Sequence, residues 1–259
     1  MDITVLGASS GIGGPARTTS FRVGEAILID CGTGVGDLPL PDLLAIDTVL
    51  LTHSHLDHSG LLPLLAHAHA SNGGGGVTVY TGPETVQALK THMFSGPLWP
   101  DYTRYPHPDR AFVRLCPVTP EERLQIHGLT VAALPACHSV PALGWLVDEG
   151  RVAWAFTGDS GPCPAFWKAL ARVPHLTDVL GEISYDDSRA ETAARFGHLS
   201  PALLAPLLEG LPSSVRFWVS HLEPGDEARM MALIAPALGG GRDIRQLVAG
   251  SVIRPGGRV

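Results

Sequence analysis

The segment Thr52-His53-Ser54-His55-Leu56-Asp57-His58-Ser59-Gly60 constrains this chain more than any other. Three imidazoles and a carboxylate fall within six positions, between the apolar runs Ile46–Leu51 and Leu61–Leu65. A fold does not draw four such groups together in its interior unless something pairs with them. Two divalent cations are the simplest partner, and paired cations point to hydrolysis. His53 and His55 are two apart on an extended segment leaving a strand, so both side chains can face one way. Asp57 and His58 follow a tightening of the backbone and can face a neighbouring point. One loop thus offers two half-sites, each needing completion from elsewhere.

Other strand ends offer that completion. Pro135-Ala136-Cys137-His138 follows the strand Leu129–Leu134, Thr157-Gly158-Asp159-Ser160 follows Val152–Phe156, and Ser220-His221 follows Val215–Val219. Each puts a metal-ligand type where an apolar strand stops. Cys137 reads as a buried neighbour and not a ligand. His67-Ala68-His69 also spells H-x-H, but it lies on a helix, where such positions face apart. A solvated helix end is expected there. His92, His107, His127 and His175 show no partner pattern.

Short apolar or β-branched runs predict strands at Ile3–Leu6, Ser20–Val23, Ala26–Asp30, Thr48–Thr52 and Val77–Tyr80, with a Gly24-Glu25 hairpin turn. The second half adds strands at Leu129–Leu134, Gly144–Val147, Val152–Phe156, Asp178–Ile183, Val215–Ser220 and Ile244–Ala249. Helices are predicted over Leu61–Ala70, Pro83–Thr91, Pro164–Ala171, Pro201–Glu209 and Asp226–Leu238. Strands in runs, with helices in both halves, fit two packed mixed β-sheets with helices on the outer faces, an α/β fold of the αββα sandwich kind. A single domain over residues 1–259 is expected, interrupted by an irregular Pro- and aromatic-rich excursion at about 93–109.

The charge balance bears on partners. The net charge is −7 and only Lys90 and Lys168 are lysines. No basic run suggests a nucleic-acid track or a membrane surface, so neither partner is expected. A small anion remains compatible, because bound metals supply a positive field. Cys31, Cys116, Cys137 and Cys163 lie far apart and read as buried free thiols in a reducing compartment. Met1-Asp2-Ile3-Thr4-Val5-Leu6 reads as a strand and not as a signal peptide, and no apolar run is long enough to span a bilayer. The expected location is the cytoplasm.

The order H-x-H-x-D-H, a downstream His, an Asp in a T-G-D context and a final His resembles the ligand pattern of the metallo-β-lactamase fold from end to end. The resemblance implies that His53, His55 and His138 hold one metal, that Asp57, His58 and His221 hold a second, and that Asp159 bridges them. A bridging hydroxide would then be the nucleophile. Zinc is the first expectation for this ligand set, although ligand type alone does not separate it from manganese or iron at one position.

Further stretches narrow the likeness. They are Gly158-Asp159-Ser160-Gly161-Pro162, Gly181-Glu182-Ile183-Ser184-Tyr185, Phe196-Gly197-His198-Leu199-Ser200-Pro201 and Val219-Ser220-His221-Leu222-Glu223-Pro224. With Leu56, Thr18-Thr19-Ser20, Ile29-Asp30-Cys31-Gly32-Thr33-Gly34 and Leu98-Trp99-Pro100-Asp101-Tyr102, they resemble the class II 3′,5′-cyclic-nucleotide phosphodiesterases. That family implies hydrolysis of cyclic AMP or cyclic GMP to the 5′-monophosphate, and a homodimer. Cleavage must protonate a poor alkoxide leaving group, here the ribose 3′-oxygen. An imidazole oriented by a carboxylate can do so, which assigns His198 as general acid and Glu182 as its orienting partner. Trp99 and Tyr102 would stack on the base from the excursion.

Two rivals share part of this pattern. The tRNA 3′-processing endonucleases share the metals and the Glu–His pair. Leu56 in place of a usual Gly, the acidic balance and the lack of a long basic arm argue against them. Aryl-sulfate or lactone hydrolysis on the same fold, or metal binding without turnover, is not separated by fold alone. Gly7-Ala8-Ser9-Ser10-Gly11-Ile12-Gly13 resembles the nucleotide loop of short-chain dehydrogenases. No apolar-periodic helix follows it to face a pyrophosphate, and no Tyr-x-x-x-Lys occurs.

Overall fold

The computed structural model describes residues 1–257. Its first sheet takes β1 (Ile3–Gly7), β2 (Ser20–Val23), β3 (Ile27–Ile29), β4 (Thr48–Leu50), β5 (Val77–Thr81) and β6 (Val113–Pro117). Its second takes β7 (Arg123–Ile126), β8 (Leu129–Ala136), β9 (Ala142–Asp148), β10 (Ala153–Phe156), β11 (Leu176–Glu182), β12 (Arg216–Ser220) and β13 (Ile244–Gln246). The last strand, β14 (Val252–Ile253), returns to the first sheet, giving the orders β14-β1-β2-β3-β4-β5-β6 and β13-β12-β11-β10-β9-β8-β7. Both sheets are mixed. From β14 to β3 and from β7 to β10 neighbours are antiparallel; from β3 to β6 and from β10 to β13 they are parallel.

The helices are α1 (Leu40–Ala45), α2 (Leu56–Ser59), α3 (Leu62–Ser71), α4 (Pro83–Ala88), α5 (Pro164–Leu170), α6 (Ala190–Phe196), α7 (Pro201–Leu208) and α8 (Glu227–Leu238). Proline stands in the first turn of several, including α3, α4, α5 and α7, where its missing N–H costs nothing. Three apolar seams hold the layers. One lies between the sheets, around Phe21, Trp145, Trp154 and Phe156. A second lies under α5, α7 and α8, and a third under α3 on the first sheet. This is the expected αββα sandwich.

The differences from expectation are local. Strands β6 and β7, at the far edges of the two sheets, had little signal, because edge strands carry polar residues such as Arg114, Arg123 and Gln125. Helices α1 and α6 were not expected either. The predicted helix from Pro83 is α-helical only to Ala88 and continues through a wider turn over Leu89–Met93. His69 is buried and not solvated: its Nδ1 accepts the Gly76 N–H at 3.2 Å and so ties down the glycine-rich loop. Cys137 is exposed and not buried. All four cysteines are free. The residues after Gly13 turn into β2 with no intervening helix, and no helix among the described residues is long and apolar enough to cross a membrane.

Candidate metal centre

Strands β3, β4, β8, β10, β11 and β12 all stop at one edge of the sandwich, and each hands its next residues to the same point. Beyond β4, His53 and His55 extend into that point, and α2 turns the chain so that Asp57 and His58 follow. His138 comes from the end of β8, Asp159 from β10, Glu182 from the last position of β11 and His221 from β12. Parallel neighbours carry most of these residues, which is why their carboxyl ends coincide.

The side chains gather into two groups, His53, His55 and His138, and Asp57, His58, Asp159 and His221, each with its ligand atoms within 4.8 Å of one another. Asp159 lies between them. Its Oδ2 is 4.0 Å from His53 Nε2, 3.9 Å from His138 Nε2 and 3.2 Å from His221 Nε2, while Oδ1 is 3.2 Å from His58 Nε2. His55 Nδ1 and His138 Nε2 stand 3.2 Å apart. The buried atoms His53 Nε2, His58 Nε2 and Asp159 Oδ1 have no hydrogen-bond partner. Orphaned buried nitrogens and an orphaned carboxylate oxygen, set among further His and Asp side chains from neighbouring strand ends, fit divalent cations.

Hydrogen bonds behind the centre set which ring nitrogen faces it. The Asp30 carboxylate accepts the Thr52 N–H at 2.7 Å and the Thr52 hydroxyl at 2.9 Å, and contacts His58 Nδ1 at 2.7 Å. With its proton given to Asp30, the Thr52 oxygen is left to accept from His53 Nδ1 at 3.0 Å. His138 Nδ1 donates to the Gly197 carbonyl at 2.8 Å. The Ser184 hydroxyl donates to Glu182 Oε2 at 2.9 Å and so accepts from His221 Nδ1 at 2.9 Å. In these four rings Nδ1 is occupied and Nε2 is directed inward, the arrangement that fixes a ligand tautomer, whereas His55 turns its Nδ1 toward His138.

The electrostatics follow this layout. Burial, helped by the neighbouring His58, holds His53 well below the ordinary imidazole pKa, so its ring is neutral. Burial also opposes charge on His58, but Asp159 and Asp30 on either side outweigh it and raise its pKa well above the ordinary value. Burial would raise Asp159; His221 and His58 overcome that and hold it well below the usual carboxylate range. Two backbones here are left-handed without being glycine, Asp30 at φ 56° and His221 at φ 63°. Such positions cost energy and persist where the surroundings over-determine them.

Glu182 and His198 also meet at the centre. His198 Nδ1 is 2.9 Å from Glu182 Oε1, and Glu182 is fully buried. Burial lowers the His198 pKa, but the hydrogen bond and charge of Glu182 more than reverse this and raise it above the ordinary value. Gly197 makes the approach achievable. At φ 72°, a Cβ there would stand 2.7 Å from His138 Cα, so only glycine lets the chain before His198 pass this close.

A cavity of about 450 Å³ opens onto these groups, lined by His55, Asp57, Asp159, His198 and His221 together with Ser10, Ser184, Tyr185, Arg189 and Glu223. The structure does not bring Trp99 or Tyr102 to this cavity. Tyr102 is buried, its hydroxyl 2.8 Å from His67 Nδ1, and Trp99 packs against the apolar seam under α3. The excursion is held by its own aromatic packing, Tyr102 lying against Tyr105 and Phe112. Asp30, Thr52 and Ser184 had no assigned role in the sequence. Asp30 carried a usable signal, a carboxylate closing the wholly apolar strand β3, the same signature as Asp159 after β10.

Known proteins resemble the chain throughout. A family model described as "Beta-lactamase superfamily domain" matches residues 25–222. A probable 3′,5′-cyclic-nucleotide phosphodiesterase of Yersinia pestis is 25% identical over 229 residues, covering 79% of this chain and 61% of that protein. A ribonuclease Z of Parasynechococcus marenigrum is 32% identical over 175 residues, 61% of this chain and 52% of that one. The chain thus spans between half and three fifths of the length of these relatives. The crystal structure of unliganded yeast PDE1 superposes with a TM-score of 0.82 at 18% identity, covering 97% of this chain and 98% of that one.

Proposed function

Because this chain belongs to the β-lactamase superfamily, we propose that it is a metal-dependent hydrolase that opens 3′,5′-cyclic nucleotides to 5′-monophosphates. His53, His55 and His138 would hold one divalent cation, Asp57, His58 and His221 a second, and Asp159 would be shared. When bound, the cations supply Lewis acidity to the phosphate and lower the pKa of water, zinc being the first choice for this donor set. The remaining work falls to the chain's own residues. His198 is the general acid: its Nδ1 is held by Glu182, leaving Nε2 to give a proton to the departing 3′-oxygen. Glu182 keeps the imidazole charged and oriented, and is itself fixed by the Ser184 hydroxyl and by the Ser160 N–H at 3.2 Å. Ser184 ties this pair to His221, so the acid and the metal cluster share one frame.

The observation that carries the reading is the 2.9 Å Glu182–His198 pair opening into the same cavity as the His–Asp clusters. A hydrolase acting on an activated substrate needs no such acid; one that expels an alkoxide does. The likeness to the Yersinia pestis phosphodiesterase favours a cyclic substrate. The likeness to ribonuclease Z favours an RNA phosphodiester, which would need the same acid. The test is a panel of cyclic AMP, cyclic GMP, bis(p-nitrophenyl) phosphate, a lactone and a precursor tRNA, each with and without chelator. Turnover of a cyclic nucleotide, abolished by chelator, is the expected result. Intact cyclic nucleotides alongside turnover of another substrate would overturn the proposal.

A further inference from the structure

We propose that Tyr185 and Arg189 form a leaving-group subsite that takes the flat heterocycle of a nucleoside. The inference rests on His198 acting as the acid, as argued above. An acid must lie next to the leaving oxygen, so whatever that oxygen carries lies on the His198 side of the cavity. The cavity wall on that side is Tyr185 and Arg189. The Tyr185 ring stands 5.9 Å from the His198 ring, centroid to centroid, and the Arg189 guanidinium sits 4.8 Å over the Tyr185 ring.

Arg189 is exposed, and among the described residues its guanidinium has no hydrogen-bond or ion-pair partner. Two of the acids nearby are already paired: Arg229 binds Asp186 at 2.9 Å and Asp226 at 2.6 Å. An unspent guanidinium held over an aromatic ring, in a chain of net charge −7, offers a planar group and hydrogen-bond donors at once. A purine or pyrimidine has both a π face to stack and ring acceptors to receive those donors. Another part of the lining has the reverse sign, with Glu223 accepting the Ser10 hydroxyl at 2.8 Å. A second phosphate is repelled there, whereas hydroxyl or amino groups are accepted.

The wall is also preformed. The N–H groups of Ser184 and Tyr185 donate to the Leu199 carbonyl at 3.2 and 3.3 Å, and Asp187 accepts the Ala202 N–H at 2.8 Å. The segment thus leaves Glu182 and returns to His198 as a closed loop, with Tyr185 and Arg189 on the face that lines the cavity.

The test is binding without turnover, on the metal-loaded protein by calorimetry, with 5′-GMP, 5′-AMP, ribose 5-phosphate and inorganic phosphate as probes. The nucleoside monophosphates should bind more tightly than ribose 5-phosphate. Arg189→Ala and Tyr185→Ala should each reduce that advantage about tenfold, the size of one stacking contact, and leave inorganic phosphate affinity within twofold. Arg189→Lys should recover little, since it keeps the charge and loses the plane. The subsite is overturned if either alanine variant leaves the nucleotide advantage intact, if it weakens inorganic phosphate equally, or if Arg189→Lys restores binding in full. Wild-type turnover of bis(p-nitrophenyl) phosphate and cyclic nucleotides, measured in parallel, reports on the hydrolase reading separately, because the binding comparison needs no catalysis.

Discussion

The Asp30 carboxylate lies 2.7 Å from His58 Nδ1, and neither side chain is exposed to solvent. The same carboxylate reaches His53 through the Thr52 hydroxyl. One acid behind the centre therefore orients an imidazole in each of the two ligand groups. Replacing Asp30 by Asn keeps a side chain that tolerates the left-handed backbone at this position and removes the charge. Metal affinity, measured by chelator competition, should fall about 10- to 100-fold. Unchanged affinity would show that the contact does not orient the ring.

His198→Ala should retain the metals and lose general-acid catalysis. Turnover of a substrate with an alkoxide leaving group should fall about 10²- to 10⁴-fold, with a much smaller fall for a p-nitrophenyl diester, whose leaving group departs without a proton. Equal losses on both substrates would count against an acid role.

Chelation should cost stability as well as activity. Without cations, His53, His58 and Asp159 present unpartnered buried atoms to one another. Ligands held at about 100 to 1,000 times their dissociation constant stabilise the native state by about 3–4 kcal/mol. For a chain of this size that is on the order of 10 °C in Tm. Calorimetry with and without chelator measures it, and an unchanged Tm would argue that the cluster folds empty.

Asp178 gives a pH dependence away from the centre. It is fully buried and accepts from Arg216 Nε at 2.7 Å, from Trp218 Nε1 at 2.8 Å and from the Gly256 N–H at 3.0 Å. Burial alone would raise its pKa, but Arg216 and these donors hold it below the usual carboxylate value. A depressed native pKa means that the stabilisation is complete above the ordinary carboxylate range. It is lost as pH falls through the native pKa, so the effect lies below about pH 4. Asp178→Asn should cost about 3–5 kcal/mol near neutrality and flatten that acid limb in denaturant titrations. A variant as stable as the parent at pH 7 but less stable at pH 3 would reverse the assignment.

Much of the candidate centre is legible along the chain, because its proposed ligands are local events. His53, His55, Asp57 and His58 share one loop, and His138, Asp159 and His221 each end an apolar strand, where a polar side chain has little reason to be unless it is used. The alternation of strand and helix signals likewise carries the αββα arrangement. What the chain does not display are pairings made by packing one sheet edge against another. Asp30 finds His58 and Ser184 joins Glu182 to His221 only once β3, β4, β11 and β12 end at the same place. Trp99 and Tyr102 show the reverse. Their composition suggests a binding loop, yet burying aromatic surface against Phe112 and the seam under α3 is the more favourable use of it. Sequence set the ligand types and their order. Tertiary structure decided which side chains hold those ligands in place and which line the cavity, because both depend on distances between strands far apart in the chain.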